Sequence, residues 1–372
     1  MGVKGTRLFA LLMVFVVVLG TVSISGCTQS SGGADWLKLV PEDAVVAGVF
    51  DASTLSDLKD LMKETPYEEG KSVYDAYVEM RSDLKEDLGI DPEDVSRVVF
   101  SVTSIPKSDY ESPKVAVYVE GNFDTSEIKK KVENLTSESE VKRTTYKDAT
   151  IYYDDEFSMA IGKDYVVMGS SLTLVEDIID LKNGKGKWAE KYKDVVDKVG
   201  SGNLVLVYDV DYLTGHLGDI KPSSSEEAQI LSVIGKVDYG SFKLKISGDE
   251  YTVKTVLKAV DEASAKNIVK NADALLTLAN TTLSLGQLGD MNPREKALVE
   301  KLRGIIGKIK IKADGKYVVQ ELTVTKKEIE DVLEVATGYG GYTSTQRAEA
   351  NQIAQEAQKR IQEQLNNMTI EG

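Results

Sequence analysis

Val141-Lys142-Arg143-Thr144-Thr145-Tyr146-Lys147-Asp148-Ala149-Thr150-Ile151-Tyr152-Tyr153, continued by Met159-Ala160-Ile161-Gly162-Lys163-Asp164-Tyr165-Val166-Val167-Met168-Gly169, carries four short strand-forming runs in succession. Val141–Tyr146 and Thr150–Tyr153 flank the turn Lys147-Asp148. Met159–Ile161 and Tyr165–Gly169 flank Gly162-Lys163-Asp164. Short β-branched and aromatic runs, separated by turn residues at so regular a spacing, predict a meander of antiparallel strands. A helix over Leu174–Leu181 closes the unit, and Asn183-Gly184-Lys185-Gly186-Lys187 reads as its boundary.

Upstream, Val45–Phe50 is an apolar run suited to a buried strand. A helix capped by Ser53 or Thr54 follows, then a second over Ser72–Leu88, ended by Gly89. Strands are expected at Arg97–Thr103 and Lys114–Glu120, and Asp124 caps a helix over Ser126–Leu135. Downstream the order recurs. Asn203–Val210 is a strand and Ser225–Ile234 a helix. Val237–Ile246 and Tyr251–Val260 are long alternating strands, followed by a helix over Ala263–Leu283. Ile305–Ala313 and Lys316–Thr325 form a hairpin about Asp314-Gly315, and Ile329–Val335 is a closing helix. The expected class is α+β: two related units of antiparallel sheet with packed helices, residues 36–185 and 200–336, from a tandem duplication read in element order. After a Gly/Tyr linker, six of the ten glutamines fall between Gln346 and Gln364, and a narrow apolar stripe predicts a C-terminal helix over 343–368.

The N-terminus has the layout of a secretory signal, residues 1–26. Lys4 and Arg7 precede twelve consecutive apolar residues, Leu8 to Leu19, and small residues follow. The run is shorter than the ~20 residues of a membrane-spanning helix. Ile24-Ser25-Gly26-Cys27 resembles the lipobox of prokaryotic lipoproteins. That resemblance implies a lipid on the Cys27 thiol, which would attach the protein to the extracytoplasmic face of the membrane. A retained signal anchor is the alternative. Residues 27–35, small and polar, form a flexible tether.

The formal net charge is −15. Residues 1–26 hold two basic and no acidic residues, so the remainder carries −17, and nucleic acid is not an expected partner. Cys27 is the only cysteine, so no disulfide forms within the chain.

Motifs of catalysis are sparse. His216 is the single histidine, which leaves no His-rich metal site, and no Gly-x-Ser-x-Gly elbow accompanies it. Asp154-Asp155-Glu156 and Asp209-x-Asp211 supply carboxylates of a kind calcium uses, but the second departs from the EF-hand pattern. Gly184-x-Gly186-Lys187 lacks the P-loop's upstream glycine and its Ser or Thr. Among 60 acidic residues, spacing singles out no glycosidase pair. No catalytic residue, cofactor or metal is expected. Asn134, Asn280 and Asn367 head N-glycosylation patterns. Tyrosine is in excess, 17 against seven Phe and two Trp, and Tyr118, Tyr146, Tyr152, Tyr153, Tyr165, Tyr208, Tyr239, Tyr251 and Tyr317 all fall in expected strands. Such rings serve as packing on a half-wet sheet, or as a surface for sugars or hydrophobic ligands.

Leu39-Val40-Pro41-Glu42-Asp43-Ala44, Gly89-Ile90-Asp91-Pro92-Glu93-Asp94-Val95, Gly121-Asn122-Phe123-Asp124 and the meander resemble an uncharacterised family of prokaryotic exported proteins. The likeness covers about the first half of the mature chain. It implies a duplicated α+β fold at the cell surface and no activity. The expected function is a lipid-anchored extracytoplasmic surface protein of non-catalytic binding or structural type, whose unassigned ligand or protein partner would bind through its sheets. The alternatives are a solute-binding lipoprotein of a transporter, a carrier of hydrophobic ligands, and a hydrolase using paired carboxylates.

Overall fold

The computed structural model describes residues 33–52, 54, 59, 62–63, 65–68, 71–106, 112–136, 140–217, 234–284 and 293–337. The signal segment, Cys27, most of the tether, residues 225–233, Asn367 and the expected helix over 343–368 lie outside them.

A 3₁₀ turn, Asp35–Leu39, leads into β1 (Val46–Asp51). β2 (Pro66–Glu68) and β3 (Lys71–Ser72) form a small ribbon before α1 (Val73–Asp83), which runs on as a π-type turn, Leu84–Leu88. Ser72 starts α1 because its Oγ accepts from Asp75 N, at 3.2 Å, while the Asp75 carboxylate accepts from Ser72 N, at 2.8 Å. Gly89 ends the turn in the left-handed region, φ 72°. Then come β4 (Val95–Ser104), β5 (Lys114–Gly121), α2 (Thr125–Thr136), β6 (Lys142–Tyr146), β7 (Ala149–Tyr153), β8 (Ser158–Ile161), β9 (Tyr165–Gly169) and α3 (Leu172–Lys182). The second half holds α4 (Lys193–Val199), β10 (Leu204–Asp209), α5 (Val210–Leu217), β11 (Val237–Ser247), β12 (Glu250–Ala259), α6 (Glu262–Ser284), α7 (Pro293–Ile306), β13 (Lys310–Asp314), β14 (Tyr317–Thr325) and α8 (Lys326–Thr337).

The strands of both expected units join in one antiparallel sheet of twelve, in the order β13-β14-β12-β11-β10-β1-β4-β5-β9-β8-β7-β6. β1 pairs with β10 at the seam, Val46 opposite Tyr208 through Phe50 opposite Leu204. Outward from this pair each half proceeds alike. Two strands follow in order, a helical segment leaves the second of them, and a later strand returns to pair with it: β9 with β5, and β14 with β12. Both edge strands are basic, Lys142-Arg143 in β6 and Lys310 and Lys312 in β13, and charged edges discourage pairing with another chain.

Side chains alternate between the faces. On the first face Phe50, Val98, Val117, Val119, Met159 and Met168 pack with Tyr77, Met80, Leu84 and Leu88 of α1 and its continuation, and with Ile128 and Val132 of α2. On the second face Val49, Val99, Tyr118, Ile151, Tyr165, Val167, Val205 and Val207 pack with Trp36 and Leu37, with α3 and with α4. Ile178 and Ile179 of α3 are at most 2 % exposed, and each stabilises the fold by about 1.5–3 kcal/mol.

Three readings need correction. Asn183–Lys187 is not a free boundary. It is the capping loop of α3, in which Gly184 N donates to Leu181 O (2.9 Å) and Lys185 N to Asp180 O (2.8 Å). That is the Schellman pattern, with Gly184 at φ 70°. The chain beyond is held down by Ala189 N donating to Val40 O, at 2.9 Å. Second, α4 is a helix where the sequence predicts none. It lies across the second half, with Val195 O accepting from Ser241 Oγ (3.0 Å) and Asp194 from Lys258 (2.6 Å) and Tyr317 (3.0 Å). Third, Ile305 and Ile306 end α7, and the hairpin strand starts only at Lys310.

Candidate functional site

A cleft of ≈ 570 Å³ opens on the second face, bounded by the 3₁₀ turn, by the strand ends of β4 and β5, and by the capping loop of α3. Strand register builds its floor. Arg97 on β4 stands opposite Glu120 on β5, and Glu120 opposite Tyr165 on β9. One step along β5 on the same face, Tyr118 stacks on Tyr165, with ring centroids 5.7 Å apart and planes inclined at 18°. The walls come from Asp35, Lys38 and Leu39 on one side and from Leu181, Lys182, Lys185 and Trp188 on the other, with Asp164 between strands β8 and β9. Gly184 and Gly186 (φ 89°) let the loop turn tightly enough to bring Trp188 back beside Pro41.

The charges are largely paired. Arg97 Nη2 binds Glu120 Oε2, Lys38 Nζ lies 2.8 Å from Asp35, and Lys182 Nζ 3.8 Å from Asp164. Lys182 also stands over the Tyr165 ring, 4.3 Å from its centroid. Four cations, Lys38, Arg97, Lys182 and Lys185, thus meet three carboxylates, Asp35, Glu120 and Asp164, so the cleft is slightly positive within an acidic chain. Lys38 draws the Asp35 carboxyl below its ordinary value, first through their hydrogen bond.

One buried polar atom at the floor is left unpaired among the described residues. Arg97 Nε is buried and has no hydrogen-bond partner among the described residues. The Tyr118 ring is buried, while its hydroxyl stays open to the cleft and bonds no described residue. Burial raises the Tyr118 hydroxyl well above the usual phenol range, Glu120 adds to this and Arg97 opposes it, so the group is a neutral donor and acceptor. Its stacking partner is satisfied: Tyr165 donates to Asp148 at 2.9 Å. Other strand tyrosines are likewise anchored, Tyr146 to Asp180 and Tyr152 to Glu133, each at 2.9 Å.

The other sequence candidates lie elsewhere. Asp154 closes a turn by accepting from Glu156 N and Phe157 N, both at 2.8 Å. Asp209 caps α5 by accepting from Tyr212 N (3.0 Å) and pairs with Lys191 (3.3 Å). His216 sits near the end of α5. Among the described residues no group of three or more His, Cys, Asp or Glu is placed to hold a metal, and no helix is long and apolar enough to cross a membrane. Asn134 is exposed on α2, while Asn280 Oδ1 accepts from Arg303 Nε at 3.0 Å. Cys27 lies outside the described residues.

Sequence reasoning passed over Arg97, Glu120, Asp164, Lys182, Lys185 and Trp188. The one available signal was Tyr118 among the strand tyrosines, together with the alternation that puts Glu120 on the same face.

No family model matches the chain, and no curated protein matches it. Among solved structures, crystal form III of TP0453 is similar at a TM-score of 0.40 and 10% identity, covering 83% of this chain and 99% of that one. Crystal form IV of TP0453 is similar at 0.40 and 11% identity, covering 81% and 99% respectively.

Proposed function

We propose that this is a lipid-anchored extracytoplasmic protein that binds, without transforming it, a small polar ligand in the cleft on the second face. The observation that carries the reading is Arg97 Nε, a buried donor with no hydrogen-bond partner among the described residues, at the floor of the cleft beside the Tyr118 hydroxyl. A buried donor left unpaired costs stability, on the order of 1–3 kcal/mol, and a ligand oxygen at the cleft floor would remove that cost. The Tyr118 hydroxyl supplies a second polar contact, and Trp188 a flat apolar wall. Aromatic walls and oriented polar groups around a nearly neutral charge balance suit a hydroxyl-bearing molecule with at most one net negative charge. The Ile24–Cys27 sequence supports the anchor. The matching order of elements on either side of the β1–β10 seam supports reading the body as a duplicated α+β unit.

The seam bears on the transporter reading. Receptors that close two lobes about a solute need a hinge, and a continuous β ladder from Val46 to Phe50 resists opening there.

The test is native mass spectrometry of full-length protein drawn from membranes in mild detergent. A reproducible small adduct is expected on the wild type and is expected to be lost in Tyr118→Phe and Trp188→Ala. No adduct, or one retained by both variants, overturns the assignment of the cleft.

A further inference from the structure

Beyond the C-terminal end of α4, no described helix covers the second face of the sheet, which carries lysines there. Lys243 on β11 stands directly opposite Lys254 on β12, and Lys245 lies one step along the same face. Like charges facing each other across a strand pair oppose folding. Lys254 Nζ donates to Lys198 O at the end of α4, at 2.7 Å. Lys243 is half-buried beside Gly200 and Gly202. Glu321 on β14 stands opposite Lys254 and acts on Lys243 at longer range, but among the described residues no carboxylate forms an ion pair with Lys243, Lys245, Lys254 or the cleft's Lys185.

These lysines share one end of the face with the cleft. The row that begins at Arg97 passes to Asp51, whose N donates to Asn203 O, and Asn203 in turn bonds Leu244 O and Ile246 N, on either side of Lys245. Three strand spacings, roughly 14 Å, separate Arg97 from Lys245. The polypeptide also joins the body on this side, because Trp36 and Leu37 are packed into the second-face core. Cys27 precedes Asp35 by eight residues, a reach of about 30 Å at most.

We propose that this lysine-bearing end of the second face docks on an anionic bilayer surface, with the phosphates of the headgroups as counter-ions. The net charge of −15 does not forbid it. Charges more than about 8 Å away are screened at physiological salt, so the local surface governs contact. The anchor read at Cys27 would only bring the bilayer within reach, and the docking rests on the lysines.

The test is lysine acetylation footprinting of the full chain on vesicles, recovered by flotation. The two vesicle compositions are phosphatidylcholine alone and phosphatidylcholine mixed equally with phosphatidylglycerol. Lys243, Lys245 and Lys254 are expected to react several-fold more slowly on the anionic vesicles, and the protection to disappear at high salt. Lys130, on α2 over the opposite face, is expected to react alike on both. The triple variant Lys243→Gln, Lys245→Gln, Lys254→Gln, checked for folding by circular dichroism, is expected to lose the preference of Lys185 for protection on anionic vesicles. Equal reactivity on the two compositions, or equal protection of Lys130, overturns the proposal. So does protection that grows with protein concentration without vesicles, which assigns the face to a second copy. Flotation that fails on both compositions counts against the anchor, while unchanged footprints on floated protein count against the docking.

Discussion

Gly48 of β1 lies directly opposite Leu206 of β10, and a Cβ added to Gly48 would stand 2.6 Å from Leu206 Cδ2. Phe100 approaches from β4 just as closely, with its Cε1 also 2.6 Å from that position. The seam between the two halves therefore closes over an absent side chain. Gly48→Val is expected to lower stability by about 1–3 kcal/mol through overpacking. Urea unfolding followed by circular dichroism measures this, and an unchanged midpoint would show that the seam repacks freely.

Asp91 links stability to acid. Burial raises its carboxyl, but hydrogen bonds from Lys85, from Glu93 N and from Arg81 outweigh it and hold the group at about 2, against an ordinary 3.8. Lys85 Nζ lies 2.8 Å and Arg81 Nε 3.1 Å from its oxygens. A depressed folded-state value means that the contribution is full above the unfolded value and is lost as pH falls through the folded one. Stability is thus expected to decline between pH 4 and pH 2 on this group's account. Asp91→Asn is expected to cost about 2 kcal/mol at neutral pH and to flatten the decline. Denaturation midpoints across that range check it, and an equal slope in the variant would remove Asp91 from the account.

The stacked tyrosines are expected to part company. Tyr165→Phe removes the hydrogen bond to Asp148 and is expected to cost about 1 kcal/mol. Tyr118→Phe removes a hydroxyl that has no partner among the described residues, so the ligand-free protein is expected to keep its stability to within about 0.5 kcal/mol. Thermal unfolding of ligand-stripped protein compares them directly, and a larger loss from Tyr118→Phe would mean its hydroxyl is engaged within the fold.

Cys27→Ala is expected to abolish lipid incorporation and signal maturation. Intact mass and metabolic lipid labelling read both, and unchanged mass and processing would sink the anchor.

Much of the secondary structure was legible because its signals are local. Gly315 at φ 59° and Lys147 at φ 51° close hairpins where the turn residues had been read. Asp124 caps α2 by accepting from Ser126 N (3.0 Å) and Glu127 N (3.2 Å), as expected. The misses are elements whose signal is not local. Val195, Val196 and Val199 in seven-residue α4 look like a loop until β11 and β12 lie beneath them. Ala297, Leu298 and Leu302 of α7 are half-buried or exposed, so its periodic stripe was weak.

The meander, the helix caps, the α+β class, the scarcity of catalytic motifs and the lipobox-like segment at Cys27 are all written in local stretches of the chain. Each depends on residues within a few positions of one another, where dihedral preference and alternation act directly. Long-range packing is what puts the two halves in one sheet and brings Asp35, Arg97, Tyr118, Asp164 and Trp188 together in one cleft. β pairing joins residues more than 150 positions apart, such as Val46 and Tyr208. A slip of one residue would send every side chain of a strand to the other face. The Tyr118 hydroxyl reaches a cleft, and the lysines of β11 and β12 share its face, because that register was settled by packing on both sides of the sheet.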